Sequence, residues 1–119
     1  MATKVIVIDD SSVARQQAAV VLQGAGFVVV EAVDGRDGLE KIAQNPDANL
    51  VLCDVNMPKM NGIEVLAASG PAPKQAFLMV TTEGQPELVQ QAKKHGAKGW
   101  IIKPYKPELL LAAVRRLAG

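Results

Sequence analysis

Polar side chains that could take part in chemistry stand at or directly after the ends of short apolar segments of this chain. They are Asp9, Asp10, Asp54, Thr81 and Lys103. A short apolar run bounded by turn residues is typical of a strand that is buried on both faces of a parallel sheet. The carboxyl ends of parallel strands share one edge of the sheet, and open α/β sheets bind their ligands at that edge. We therefore expect these side chains to converge on one site.

Each of these residues also has an ordinary structural role. Asp9 and Asp10 could cap the helix that follows them, and Asp54 could begin a turn. Thr81 could form a hydrogen bond within its own loop, and Lys103 could be a surface lysine. Their convergence favours a site, because three carboxylates crowded together repel one another and need a cation, or a raised pKa on one member.

The expected chemistry of such a cluster is that of a divalent cation. Carboxylate oxygens without His or Cys partners favour Mg²⁺, with Mn²⁺ as the alternative, over zinc. Lys103 adds a fixed positive charge for an incoming anion. Because a divalent metal, a lysine and a carboxylate nucleophile are recurring parts of phosphoryl transfer, the sequence predicts a phosphoryl group as that anion.

The elements that must position these residues alternate regularly along the chain. The apolar segments that predict strands are Val5–Ile8, Phe27–Val30, Leu50–Cys53, Phe77–Val80 and Gly99–Ile102. Apolar residues at helical spacing follow each strand, and cap, Pro and Gly signals bound the helices. Asp34-Gly35 is interpreted as a turn, and Ser69–Pro73 as a break that keeps the third helix short. The alternation predicts an α/β fold with a parallel sheet covered by helices on both faces.

Length, composition and charge exclude several classes of protein. The 119 residues suit one domain, and a hydrophobic content of 49% allows a packed core without disulfides. A net charge of +1 gives no electrostatic reason to expect binding to nucleic acid or to an anionic membrane. No apolar run approaches the roughly 20 residues of a membrane span, and none near Met1 suits a signal peptide. The single Cys53, expected as a buried thiol, fits a reducing cytoplasm.

Taken together, the motifs closely resemble those of the receiver domain of two-component response regulators. The matching residues, in chain order, are Asp9-Asp10, Asp54, Met57-Pro58, Asn61-Gly62, Thr81 and Lys103-Pro104. The resemblance spans nearly the whole chain and implies one receiver domain over residues 1–119. It also implies the CheY-like, flavodoxin-like fold, in which five parallel strands in the order 2-1-3-4-5 carry helices on both faces. The bond between Lys103 and Pro104 is expected to be cis.

The resemblance assigns a role to each residue of the cluster. Asp54 matches the aspartate that accepts the phosphoryl group. Asp10 matches a direct ligand of Mg²⁺, and Asp9 matches a ligand that acts largely through water. The backbone carbonyl of Asn56 matches a further ligand. Lys103 matches the lysine that pairs with the phosphoryl oxygens.

Other positions concern the switch and the lifetime of the phosphoryl group. Thr81 matches the residue that moves to bond the phosphoryl group, and Trp100 occupies the place of a Tyr or Phe that swings inward on activation. Trp100 is larger than the usual ring, and an amphipathic surface position is the alternative for it. Asn56 and Glu83 would flank the phosphoryl group and orient water for its hydrolysis. Thr82, where the family often has Ala or Gly, would narrow that approach.

The implied function is that of a cytoplasmic signalling switch. A histidine kinase would phosphorylate Asp54, and the chain would catalyse only its own phosphorylation and dephosphorylation. Phosphorylation would shift an equilibrium between two conformations and so change a surface made by the fourth helix, fifth strand and fifth helix. This surface would contact a downstream protein. A monomer is expected, with a dimer on activation as the alternative, and chemotaxis is a candidate pathway. No contact with nucleic acid or membrane is expected.

Three alternatives stay open. Since nothing follows Gly119, a free-standing regulator is the simplest expectation, but the chain could be a receiver domain from a longer DNA-binding regulator or hybrid histidine kinase. It could also be a phosphatase with an aspartyl-phosphate intermediate. Such enzymes have a second acid two residues after the nucleophile, where this chain has Asn56. A nucleotide-binding module is disfavoured because neither a P-loop nor a dinucleotide-binding glycine motif occurs.

Overall fold

The computed structural model describes residues 3–70, 73–82 and 86–118, in which strands and helices alternate. The strands are β1 (Lys4–Ile8), β2 (Val28–Ala32), β3 (Leu50–Asp54), β4 (Ala76–Thr81) and β5 (Gly99–Ile102). The helices are α1 (Ser12–Gly24), α2 (Gly35–Gln44), α3 (Gly62–Ala68), α4 (Pro86–Lys94) and α5 (Pro107–Ala118). The alternation predicted from the apolar segments is confirmed.

All the strands are parallel and lie in the order β2-β1-β3-β4-β5, as the resemblance implied. The central strand β3 is buried along its whole length, which explains why its sequence is continuously apolar up to Asp54. The edge strand β2 begins one residue later than predicted and continues to Ala32. Its Glu31 pairs with Val7 and stays exposed. Because an edge strand tolerates a polar residue, β2 extends beyond the apolar run that predicted it.

Helices cover both faces of the sheet, because successive side chains of each strand point to opposite faces. Val51 and Phe77 belong to the core cluster that packs beneath α2, α3 and α4. Leu50 and Leu78 belong to the cluster that packs beneath α1 and α5. Cys53 is fully buried in the first cluster, and burial raises the pKa of its thiol. It is therefore a core residue without nucleophilic character.

The start of α1 is fixed by Ser11. Its side chain accepts a hydrogen bond from the N–H of Ala14 and so caps the helix. The carboxylate of Asp9 accepts instead from the N–H of Ser11 at 2.9 Å. Neither Asp9 nor Asp10 is therefore needed as the cap, which leaves both acids at the edge of the sheet.

The prediction of a turn at Asp34-Gly35 is wrong, because helix α2 begins there. Asp34 is the cap residue, and its side chain accepts from the N–H of Asp37 at 2.8 Å. The same short polar side chains favour turns and helix starts, so the residue type alone does not distinguish them. A Cβ atom on Gly35 would lie 2.9 Å from Met60 Cγ, so this glycine allows α2 to approach the loop after β3.

The start of α3 is fixed against the end of β3. Asn61 accepts from the N–H of Glu64, and the Glu64 side chain accepts from the N–H of Asn61, which forms a capping box. A Cβ atom on Gly62 would overlap the carbonyl oxygen of Asp54. The Asn61-Gly62 pair thus brings α3 directly onto the backbone of Asp54. The helix is short, as expected, and residues 71 and 72 of the predicted break lie outside the described residues.

Charged residues are distributed unevenly between the two ends of the helices. Acidic residues stand in the first turns of α2, α3, α4 and α5: Asp37, Glu64, Glu87 and Glu108. Basic residues stand in the last turns of α2, α4 and α5: Lys41, Lys93, Lys94, Arg115 and Arg116. Each arrangement is favourable at its end of a helix. Since the helices return the chain between parallel strands, their first turns lie at the carboxyl edge of the sheet.

Two further features concern a peptide bond and the helices. The bond between Lys103 and Pro104 is cis, as the resemblance implied. Within the part of the chain that the structure describes, no helix is sufficiently long and apolar to cross a membrane.

Candidate functional site

The carboxyl edge of the sheet brings three acids together. Asp9 follows β1 and Asp54 ends β3, and only 6% and 5% of these residues are exposed. Asp10 lies beside them and is exposed. One carboxylate oxygen from each of the three residues lies within 4.8 Å of the other two. The three acids thus form one cluster, which is the arrangement that their positions after parallel strands predict.

Lys103 reaches this cluster from the loop after β5. Its Nζ lies 2.8 Å from Asp9 Oδ2 and 3.4 Å from Asp54 Oδ2, so one ammonium group bridges carboxylates from two strands. Burial alone would lower the pKa of Lys103. The hydrogen bond that Lys103 donates to Asp9 and the charge of Asp54 outweigh burial, and they raise that pKa above its ordinary value. Lys103 is therefore a cation throughout the neutral pH range.

The surroundings of Asp54 disfavour its charged form. Burial, followed by the charge of Asp9, raises the pKa of Asp54 to about 6. Lys103 and the backbone N–H of Asn56, which lies 3.2 Å from Asp54 Oδ1, act in the opposite direction. The cluster thus carries more negative charge than Lys103 offsets, and a second cation would relieve the repulsion.

The donor set of the cluster suits a magnesium ion. The three carboxylates offer hard oxygen ligands with no nitrogen or sulfur among them. Both oxygens of Asp9 already accept hydrogen bonds, Oδ1 from the N–H of Ser11 and Oδ2 from Lys103. That engagement favours contact with an ion through water. Asp10 is exposed and accessible to a hydrated ion.

Asn56 connects the loop after β3 with the end of β4. Its Nδ2 lies 3.0 Å from Thr81 Oγ1 and 3.4 Å from Thr82 Oγ1. Thr81 is buried, with 1% of the residue exposed, whereas Thr82 is exposed. The backbone N–H of Asn56 donates to the nucleophile candidate Asp54, so Asn56 connects Asp54 with both threonines. Glu83, which was expected to flank the phosphoryl group, lies outside the described residues.

Trp100 lies on β5, where it pairs with Met79 of β4. It is half-buried and packs against the core cluster beneath α4. Its Nε1 is buried and has no hydrogen-bond partner among the described residues. Trp100 also lines a cleft of about 470 Å³ that extends along β5 and α5 beside the exposed Ile102 and Leu109.

Sequence reasoning missed a residue that supports the site. Arg15, near the start of α1, donates from Nη1 to the carbonyl oxygen of Asp9 at 2.9 Å and from Nε to the carboxylate of Glu31 at 3.1 Å. It thereby ties the end of β1 to β2. The available signal was its position, because a cation near the start of a helix is unfavourable unless another interaction retains it.

Comparisons with known proteins agree with this geometry. Residues 5–115 match the family described as the response regulator receiver domain. The chemotaxis protein CheY of Treponema pallidum is 38% identical over 114 residues, which cover 93% of this chain and 79% of that protein. The structure of chemotaxis protein CheY4 of Vibrio cholerae superposes with a TM-score of 0.91 at 40% identity, covering 98% of this chain and 99% of that one.

A third comparison concerns a complex. The structure of the CheX–CheY–BeF3–Mg²⁺ complex of Borrelia burgdorferi superposes with a TM-score of 0.89 at 28% identity, covering 96% of this chain and 87% of that one. The family match extends over most of the chain, and the similar proteins share the sheet order and the helices of this fold. The chain therefore belongs to the response regulator receiver domain family.

Proposed function

We propose that this protein is a phosphorylation-activated switch of a two-component system and that Asp54 accepts the phosphoryl group from a histidine kinase. The observation that carries the proposal is the position of Asp54. It is buried at the end of the central strand, 3.4 Å from the ammonium group of Lys103. It also forms one cluster with Asp9 and Asp10. Membership of the receiver family supports a histidine kinase as the phosphodonor.

In the proposed reaction, a carboxylate oxygen of Asp54 attacks the phosphorus atom of a phosphohistidine. The O–P bond forms while the P–N bond breaks, and the imidazole leaves with the electron pair of that bond. Lys103 pairs with the phosphoryl oxygens, where negative charge collects. The backbone N–H of Asn56, which bonds Asp54 Oδ1, keeps the carboxylate oriented.

Asp10, Asp9, Asp54 and the backbone carbonyl of Asn56 are the groups that would hold Mg²⁺, with Mn²⁺ as the alternative. The ion supplies positive charge that offsets the charge of the carboxylates and of the phosphoryl oxygens. The Borrelia burgdorferi structure contains BeF3 together with Mg²⁺, which supports the same combination of phosphoryl group and metal for this chain.

The signal would leave through a surface of α4, β5 and α5. Thr81, at the end of β4, and Trp100, on β5, would couple Asp54 to that surface. The exposed Ile102 and Leu109 offer apolar contact area to a downstream protein. The Borrelia burgdorferi CheY is in complex with CheX, and several relatives are named as chemotaxis proteins, which supports a protein target and chemotaxis as the pathway.

Further features of the proposal concern the chain as a whole. Residues 1–119 would form one receiver domain that acts in the cytoplasm as a monomer, with a dimer on activation as the alternative. The chain would catalyse only the phosphorylation and dephosphorylation of its own Asp54. Asn56, Thr82 and Glu83 would set the rate of dephosphorylation.

The test of this proposal is the site of phosphorylation. Incubation of the wild type with acetyl phosphate and Mg²⁺ should add the mass of one phosphoryl group, and Asp54→Asn should add none while it remains folded. Asp37→Asn is the matched control, because Asp37 is an acid outside the cluster, and it should be modified like the wild type. Modification of Asp54→Asn to the wild-type extent would show that another residue is the acceptor.

A further inference from the structure

The side-chain amide of Asn56 spans the space between the loop after β3 and the end of β4. Its nitrogen has two hydrogens, and two consecutive threonines offer acceptors: Thr81 Oγ1 at 3.0 Å and Thr82 Oγ1 at 3.4 Å. The backbone N–H of the same residue donates to Asp54 Oδ1 at 3.2 Å. One residue therefore joins the nucleophile candidate to the hydroxyl of Thr81.

The contact with Thr81 is the more consequential one, since only 1% of this residue is exposed. Thr81 Oγ1 accepts the hydrogen bond from Asn56 Nδ2, whereas a hydroxyl also carries one hydrogen that it can donate to an acceptor. An oxygen of a phosphoryl group on Asp54 would offer a charge-assisted hydrogen bond, which is stronger than a bond between neutral groups. Movement of Thr81 towards Asp54 would therefore allow its hydroxyl to donate to a phosphoryl oxygen, and it would give up the hydrogen bond that Thr81 Oγ1 accepts from Asn56 Nδ2.

We propose that the Asn56 side chain is a latch that holds the Thr81 hydroxyl in its unphosphorylated position and that Thr82 keeps the latch oriented. Here the latch means the Asn56 amide with its two threonine contacts. The inference deepens the proposed function and rests on it. A ligand shifts an equilibrium only by the difference between its interactions in the two states. Each contact made only in the unphosphorylated state reduces the apparent affinity for a phosphoryl group.

The latch predicts that its removal favours the activated state. Asn56→Leu keeps a branched side chain of similar shape but removes both N–H donors, while the backbone groups stay in place. Its affinity for beryllofluoride in the presence of Mg²⁺ should rise about fivefold, the equilibrium ratio that one ordinary hydrogen bond contributes. Affinity is an equilibrium quantity, so altered access to Asp54 changes the rates of binding without changing this result.

Thr82 provides a second variant with a matched control. Thr82→Val replaces the hydroxyl by a methyl group of the same shape, and Thr82→Ser keeps the hydroxyl. Because the contact with Thr82 is the longer one, Thr82→Val should bind beryllofluoride only about twofold more tightly, whereas Thr82→Ser should bind like the wild type. Thr82 is exposed, so these variants decide the matter alone if Asn56→Leu does not fold.

The experiment combines calorimetric titration with NMR spectroscopy of the Asn56 side-chain amide. In the wild type, this amide resonance should shift when beryllofluoride binds, since the bond to Thr81 breaks, and Thr82→Val should shift it before any ligand is added. Unchanged or weaker binding by both Asn56→Leu and Thr82→Val, while the wild type binds beryllofluoride, would overturn the latch and leave the proposed function intact. A wild type that does not bind beryllofluoride with Mg²⁺ would overturn both.

Discussion

The carboxylate of Asp54 lies in surroundings that oppose its own charge. Burial and the neighbouring Asp9 hold its pKa at about 6, compared with an ordinary value of 3.8. Lys103 is close enough to compensate for part of this effect, and its ammonium group is shared with Asp9. Shifted ionisation of this kind is typical of functional sites. The raised pKa of Asp54 also makes the stability of the protein sensitive to pH and to cations.

The first prediction at this scale concerns pH in the absence of metal. The folded protein keeps a proton on Asp54 at a higher pH than the unfolded chain does. The contribution of Asp54 to stability should therefore fall as pH rises from about 4 to about 6. Asp54→Asn removes this contribution, so its stability relative to the wild type should increase across that window, by at most about 3 kcal/mol. Urea denaturation in the presence of a chelator measures this difference, and a pH-independent difference would contradict the assignment.

A second prediction concerns the metal. Mg²⁺ should raise the melting temperature by binding only the folded state, and Asp10→Ala should abolish that increase. Because Asp10 is exposed, its replacement should change the melting temperature of the metal-free protein little. Asp47→Ala, at an exposed acid in the loop before β3, serves as the control and should keep the full response. A wild-type magnesium response in Asp10→Ala would exclude Asp10 as a ligand.

At the scale of elements, helix α3 positions the nucleophile by backbone contact. Gly62 is the first residue of α3, and a side chain there would overlap the carbonyl oxygen of Asp54 and lie 2.9 Å from Val55 Cα. Both obstacles are backbone atoms, which cannot move aside as the end of a side chain can. The absence of a side chain at Gly62 thus allows the helix to support the end of β3.

Gly62→Ala should therefore destabilise the protein. The cost of the overlap with backbone atoms should exceed the ~1 kcal/mol that alanine gains over glycine in a helix. Gly24→Ala is the matched control, because Gly24 also lies in a helix and nothing lies within 4 Å of its Cβ position. This control should leave stability unchanged or raise it by up to about 1 kcal/mol. Urea denaturation of both variants tests the comparison, and equal stabilities would mean that α3 shifts without cost.

The elements were more predictable from the sequence than their contacts. Strands buried on both faces must be continuously apolar, so β3 could be located, and the acid at its end could be assigned to the edge of the sheet. The role of Asp34 could not be inferred, because a turn and a helix start use the same residue types. The amide contacts of Asn56 and the guanidinium contacts of Arg15 join residues distant in sequence. Only the assembled sheet shows them.

At the scale of the whole molecule, β5 links the site to α4 and α5, which cover opposite faces of the sheet. Lys103, directly after β5, contacts Asp9 and Asp54, while Trp100 packs beneath α4 and borders the cleft beside α5. The buried Nε1 of Trp100 lacks a partner among the residues that the structure describes. The short strand β5 thus connects the site with residues that lie beside both helices.

Trp100 is the single tryptophan of the chain and reports on this connection. Its fluorescence should change when beryllofluoride is added with Mg²⁺, because the proposed movement of Thr81 would alter the contacts of Trp100 beneath α4. Thr81→Ala should bind the ligand with little change in fluorescence, and Thr81→Ser, which keeps the hydroxyl, should behave like the wild type. Constant fluorescence of the wild type at saturating beryllofluoride would exclude Trp100 from the switch.

The uneven distribution of charge along the helices has a consequence for encounter with partners. The acidic first turns and the Asp9, Asp10 and Asp54 cluster lie at one edge of the sheet, and the basic last turns lie at the other. These charged side chains therefore contribute an electric dipole although the net charge of the chain is only +1. A charged partner exerts a torque on such a molecule before contact, so collisions are oriented with one particular edge foremost. Salt weakens this torque, and association rates should fall with ionic strength more steeply than the net charge alone would indicate.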